Sequence, residues 1–314
     1  GGLRDLHTLF WIAEYLHGVD SDHVFKLDMF DAREVRAFMR AFDFLHAVRA
    51  HLHFTTGRPE ERLTFDLQPE IAQRMGYGDR GAPGEGQPAV ERFTRRYFLV
   101  AKEVGALTRA FTAALEQEHL KSAPRGLSRF LPRGAKAKRK PLDQPGFFEE
   151  NGRLNIAGPQ VVADDPVALI RLFHIADQRD LDIHPEAFTT VTRSLGLITS
   201  KVRKDPAAAK AFLDVLARGR DAYRILTLMN ESGVLGRYLP EFGRVVAQMQ
   251  FNMYHSYTVD EHTLRAVGVI CDIIAGRLGE EHPLSASIMP LIDDREVLFL
   301  AMLLHDTGKG GAGG

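Results

Sequence analysis

The stretch Val297-Leu298-Phe299-Leu300-Ala301-Met302-Leu303-Leu304-His305-Asp306-Thr307-Gly308-Lys309 joins eight apolar residues to a polar pair and then to a glycine. An unbroken apolar run of this length predicts a helix buried nearly all round. A charged pair at the end of such a helix is costly unless something compensates it, and a metal ion does so directly. Working back from the pair, His262 stands 43 positions earlier in Asp260-Glu261-His262-Thr263. Two imidazole nitrogens and a carboxylate suit a divalent cation that activates water for hydrolysis. The plainer alternative makes His305 and Asp306 a helix cap and His262 a surface histidine.

His255 lies seven residues before His262. On one continuous helix the two rings would stand roughly 10 Å apart, too far for one ion. Thr258 or Asp260 is therefore the expected start of a helix bearing His262, with His255 in the turn before it. His262 is the candidate metal ligand. His255 is a candidate for contact with a substrate phosphate or for proton transfer, with simple packing as the alternative. Asp182-Ile183-His184 and Asp22-His23 read as chance adjacencies on the surface.

With 314 residues, 45% hydrophobic and 26% charged, the chain has the composition of a globular protein with room for two or three domains. Its formal net charge of −1 argues against broad nucleic-acid binding. The single cysteine, Cys271, sits in an apolar helical setting and is expected to be a buried, inert thiol. That usage, the lack of a signal peptide and the lack of any apolar run of roughly 18 residues point to a cytoplasmic protein without a membrane span.

Apolar residues recur with helical spacing along most of the chain, so the expected fold is all-α and multi-helical. Asp31 with Glu34 forms a candidate capping box for a long helix through Val35, Phe38, Phe42 and Leu45. On that helix His46, Arg49 and His53 share a face, readable either as a phosphate-facing surface or as a polar interface. Asn151-Gly152 between short runs predicts one small β-hairpin near 147–156. The expected organisation is a helical region over 1–122 and a basic, Pro/Gly-punctuated linker over 123–146. A second helical region with the hairpin follows over 147–240, and a C-terminal helical portion over 241–314.

His262 followed by His305-Asp306, with Leu-Leu-His-Asp-x-Gly-Lys around the pair, resembles the HD phosphohydrolase superfamily. That superfamily's signature closes on a further Asp, which the resemblance places beyond Gly314, so an incomplete metal site is expected. Three further stretches resemble one family more closely. They are Gly1-Gly2-Leu3-Arg4-Asp5-Leu6-His7, then Phe44-Leu45-His46-Ala47-Val48-Arg49 with Arg62-Leu63-Thr64-Phe65-Asp66, and Met229-Asn230-Glu231-Ser232-Gly233-Val234-Leu235 running on to Tyr257-Thr258-Val259-Asp260-Glu261-His262. In this order they are similar to the bifunctional uridylyltransferase/uridylyl-removing enzymes that modify the nitrogen-regulatory protein PII.

The resemblance implies a parent enzyme that transfers UMP from UTP to PII and removes it by phosphodiester hydrolysis. The family's nucleotidyltransferase domain would precede Gly1, and two glutamine-responsive ACT domains would follow the HD portion. Uridylyl transfer is thus not expected from these residues. The implied metal is manganese or magnesium, held by His262, His305 and Asp306, with His305, Asp306 and His255 as the catalytic candidates. Lys309 either contacts phosphate or offsets the helix C-terminal dipole. Two other readings stay open: a general HD nucleotide phosphohydrolase, and a non-catalytic helical scaffold that binds PII.

Overall fold

A computed structural model describes residues 1–17, 31–78, 88–121, 139–249 and 257–310. Helices dominate, as the apolar periodicity requires. The described residues fall into two compact units, one built on Gly1–Ala114 and the other on Leu115–Val245 with Asp260–Lys309.

In the first unit the long helix is Ala32–Thr56. Its capping box forms as expected. The Asp31 carboxylate accepts from the Arg33 and Glu34 amides at 2.7 and 2.9 Å, and the Asp31 amide donates to Glu34 at 2.9 Å. The helix stops at Gly57, whose φ of 65° is a left-handed cap that glycine takes without strain. Val48 and Leu52, four residues apart on one face, pack with Ile71 and Ala72 of the helix Gln68–Arg74 and with Val90 and Phe93 of the helix Ala89–Lys121. A fourth helix, Leu3–His17, also packs on Ala32–Thr56.

The second unit carries the expected hairpin, β2 (Phe147–Glu150) and β3 (Arg153–Ile156), turning at Asn151 and Gly152 with φ of 51° and 77°. The hairpin extends into a four-stranded sheet. An antiparallel β1 (Arg139–Pro141) joins β2, and a parallel β4 (Asp182–Ile183) joins β3. Strands of two or three residues carry no readable alternation, which is why β1 lay hidden in the expected linker and β4 in the Asp182-Ile183-His184 adjacency. Residues 123–138 of that linker, like Asp22-His23, lie outside the described residues.

Helices Ala168–Arg179, Pro206–Arg218 and Ala222–Glu231 pack together beside the sheet. Asp177, 2% exposed, fixes their spacing by accepting from the Arg220 and Asp221 amides at 3.0–3.1 Å. The apolar run of the C-terminal stretch forms the helix Arg295–Leu304, which rests on Pro206–Arg218. The expectation that it is buried all round is corrected here. Only Phe299 and Leu303 are buried, while Val297 is 60% and Leu304 37% exposed. The helix packs on one side, and a four-residue spacing serves one side. Among the described residues, no helix is long and apolar enough to cross a membrane.

Candidate metal centre

His262 sits on the helix Val259–Ile274, which begins directly after Thr258. Leu264 and Val267 anchor this helix in the core at 0% exposure. Asp260 is no cap. It is 1% exposed and accepts from the Asn230 side-chain amide at 2.9 Å, so a buried hydrogen bond ties the first turn of this helix to Ala222–Glu231. Sequence reading missed Asn230 and Asp260 as positioning groups, although both lie inside quoted motifs.

The helix Arg295–Leu304 ends at His305, and Asp306 follows in a turn closed by the Thr307 hydroxyl donating to the Leu304 carbonyl at 2.7 Å. The folded chain brings His262, His305 and Asp306 together, with one ligand atom from each lying within 4.8 Å of the others. His305 Nε2 is 3.4 Å and His262 Nε2 3.9 Å from Asp306 Oδ2, and the two rings stand 5.8 Å apart.

Two details fit this group to a cation. His305 Nδ1 lies 2.7 Å from the Met302 carbonyl, which only accepts, so Nδ1 is the donor there and Nε2 is the nitrogen turned toward Asp306. The Asp306 carboxylate, 12% exposed, already attracts positive charge: Lys309 Nζ sits 2.8 Å from Oδ2. Burial pushes the Asp306 carboxyl up, but Lys309, His305 and His262 outweigh it and hold it below the usual range. Lys309 thus pairs with the candidate ligand itself. His255 lies outside the described residues.

A second group of ligand-type side chains, Glu150, His184 and Glu186, gathers beside the sheet. Here the fit is poor. His184 Nδ1 accepts from the Glu186 amide at 3.2 Å as the cap of the helix Pro185–Arg193, which leaves the ring hydrogen on Nε2. The carboxylates are occupied as well. Asn155, fully buried, donates to Glu150 at 3.0 Å and Glu186 at 3.2 Å, and Arg139 pairs with Glu150 at 2.9 Å. In the first unit, the polar face of Ala32–Thr56 also closes on a carboxylate. Arg49 grips Glu61 through Nε and Nη2 at 2.6–3.0 Å, and His53 approaches Glu61 at 3.3 Å.

Cys271 is half-buried, and burial together with Asp221 and Asp272 pushes its thiol up, away from nucleophilic character.

Comparison with known proteins covers the chain in two ways. Residues 1–112 match the family model described as GlnD PII-uridylyltransferase, and residues 147–238 match the uridylyltransferase GlnD third domain. The metal-type cluster lies outside both matches. Over its whole length the chain is 75% identical to the bifunctional uridylyltransferase/uridylyl-removing enzyme of Caulobacter vibrioides and 70% identical to that of Phenylobacterium zucineum. All of the chain is covered in each comparison, against 33% of either relative, so it spans about a third of their length. No solved structure matches it. The chain belongs to the family of bifunctional uridylyltransferase/uridylyl-removing enzymes, across the third of their length to which it corresponds.

Proposed function

We propose that the second unit contributes part of the uridylyl-removing site of a bifunctional enzyme, a site for the metal-dependent hydrolysis of the phosphodiester that joins UMP to a tyrosine of PII. The observation that carries this reading is the meeting of two imidazoles and a carboxylate at one point, with the Met302 carbonyl engaging His305 Nδ1 so that Nε2 is the nitrogen turned into the group. His262, His305 and Asp306 would hold manganese or magnesium, the metals expected for the family. Such a metal supplies a lowered pKa for its bound water and neutralises charge on the phosphoryl oxygens.

The protein's own groups have separate tasks. Asp306 contributes the negative charge, and its depressed pKa keeps it ionised at neutral pH. Met302 fixes the His305 ring through its carbonyl. Asn230 holds the first turn of the His262 helix through Asp260, so the two imidazoles keep their spacing. The names of the relatives join uridylyl transfer to uridylyl removal, and this donor set supports the second activity.

The test is Mn²⁺ binding by calorimetry together with UMP release from uridylylated PII, in this chain and in a longer protein that contains it. Both properties should depend on the same residues, with His305→Ala lowering metal affinity by at least about 100-fold. UMP release that persists in the His305→Ala protein would sink the assignment. Activity on free nucleotides but not on UMP-tyrosine would instead favour a general HD nucleotide phosphohydrolase.

A further inference from the structure

His262 and His305 stand on helices held by separate anchors. On the His262 side, Asn230 grips Asp260 in the first turn of Val259–Ile274, two positions before the imidazole. His305 closes Arg295–Leu304, and that helix rests on Pro206–Arg218. Its two buried residues are Phe299 and Leu303, at 3% and 0% exposure. Apolar burial is non-directional, so it holds one helix against another and does little to stop it sliding or turning. A directional contact is needed to set where His305 comes to rest.

The structure holds one at the far end of the helix. Glu296 lies three positions before Phe299 and seven before Leu303, so it shares their face. Its carboxylate pairs with Arg218 Nη2. Arg218 is itself pinned, because its Nη1 donates to Asp214 Oδ1 at 3.1 Å, one turn earlier on Pro206–Arg218. Burial pushes the Asp214 carboxyl up, but Lys210, His174 and Arg218 outweigh it and hold it below the usual range. The charge that grips Arg218 is therefore present at neutral pH. One guanidinium thus joins two carboxylates on two helices, through a fork that a lysine could not reproduce. Glu296 stands nine residues before His305, roughly 13 Å along the helix, so any influence of Arg218 on that ring travels through the helix.

We infer that Arg218 is a positioning residue: by joining Asp214 to Glu296 it fixes the register of Arg295–Leu304 on Pro206–Arg218, and with it the place of His305 relative to His262. Its consequence for cation binding rests on the hydrolytic reading of that cluster. Arg218 is 61% and Glu296 31% exposed, and an ion pair so open to water adds little to global stability. Register and stability can therefore be separated. The experiment uses the 314-residue protein as wild type, Arg218→Gln, Glu296→Gln and the double variant. In the metal-free protein the ring NMR signals of His262 and His305, assigned from His262→Gln and His305→Gln, should shift in Arg218→Gln. The two rings stand 5.8 Å apart, so displacing one alters the ring current at the other. The signal of His184, in the sheet group, should stay. By calorimetry each single variant should bind Mn²⁺ about tenfold more weakly. The double variant should bind no more weakly than either, because all three break one link. Urea midpoints should match the wild type. The inference is overturned if the His262 and His305 signals stay in place or if Arg218→Gln binds Mn²⁺ as tightly as the wild type. It is overturned equally if the two losses multiply to about a hundredfold, or if the urea midpoint falls along with the affinity. A wild type that binds no Mn²⁺ would sink the metal reading instead, and the ring signals would then decide the register alone.

Discussion

Two groups in the second unit have almost the same composition and opposite chemistry. His262, His305 and Asp306 form one, and Glu150, His184 and Glu186 form the other, each with its ligand-type atoms within 4.8 Å. By charge alone the second is the stronger cation trap, since it has two carboxylates. The difference lies in what holds the far side of each imidazole. A carbonyl acceptor at His305 Nδ1 puts the hydrogen there and frees Nε2, whereas an amide donor at His184 Nδ1 has the reverse effect. The carboxylates differ in the same sense. Asp306 answers to a flexible lysine, while Glu150 and Glu186 are clamped by a fully buried asparagine. Residue identity makes both groups possible metal sites, and the hydrogen bonds behind them favour the first as the candidate and tie the second into the protein's own structure.

The sharpest way to break this contrast is to neutralise one carboxylate in each group. Asp306→Asn should lower Mn²⁺ affinity by at least about 100-fold, because it removes a ligand charge where the other two ligands are neutral. Glu186→Gln should change Mn²⁺ affinity by less than about twofold, since that carboxylate is already bonded within the protein. Isothermal titration of both variants decides it, and a metal loss in Glu186→Gln would reverse the assignment of the two groups.

A smaller effect sharpens the structural side. Asn155→Ala deletes the donor shared by Glu150 and Glu186 and leaves two acceptors facing each other next to β3. Unsatisfied buried polar groups of this kind typically cost about 2 kcal/mol. Urea denaturation should show that loss with Mn²⁺ affinity unchanged. A variant as stable as the wild type would mean that the knot holds nothing together.

The sequence disclosed these regions unequally, for physical reasons. Asp31 with Glu34 and Asn151-Gly152 were legible because caps and tight turns are local, with donor and acceptor three residues apart or less. The His262 to His305-Asp306 pattern was legible because chemistry limits which side chains bind a cation. The one-sided burial of Arg295–Leu304 was not, since an apolar run reports hydrophobicity and not the number of partners. Asn230 with Asp260, and Asn155 with Glu150 and Glu186, also stayed hidden. The first pair meets across 30 positions and the Asn155–Glu186 bond across 31, and no periodicity encodes such meetings.

The smallest effect separates the two groups by acid. Burial pushes the Glu150 carboxyl up, but Arg139, Asn155 and His184 outweigh it, and its pKa in the folded protein lies below the ordinary carboxylate value. The unfolded chain therefore binds the proton more readily than the folded one. The stability that Glu150 contributes is fully present above the unfolded pKa of roughly 4.3, and it is lost as pH falls through that value towards the folded one. Glu150→Gln should be less stable than the wild type by about 1 kcal/mol at neutral pH, and the gap should close in acid. Asp306 is depressed too, through Lys309, His305 and His262, so it adds its own acid-sensitive contribution in both proteins. Mn²⁺ distinguishes the two sources. It should raise the stability of wild type and Glu150→Gln equally at neutral pH, because it engages the Asp306 group and leaves the sheet group alone. Denaturation curves of both proteins across the acid range, with and without Mn²⁺, give the four slopes needed. If Mn²⁺ changes the difference between wild type and Glu150→Gln, the ion is reaching the Glu150 group, and the distinction drawn from the two imidazoles fails.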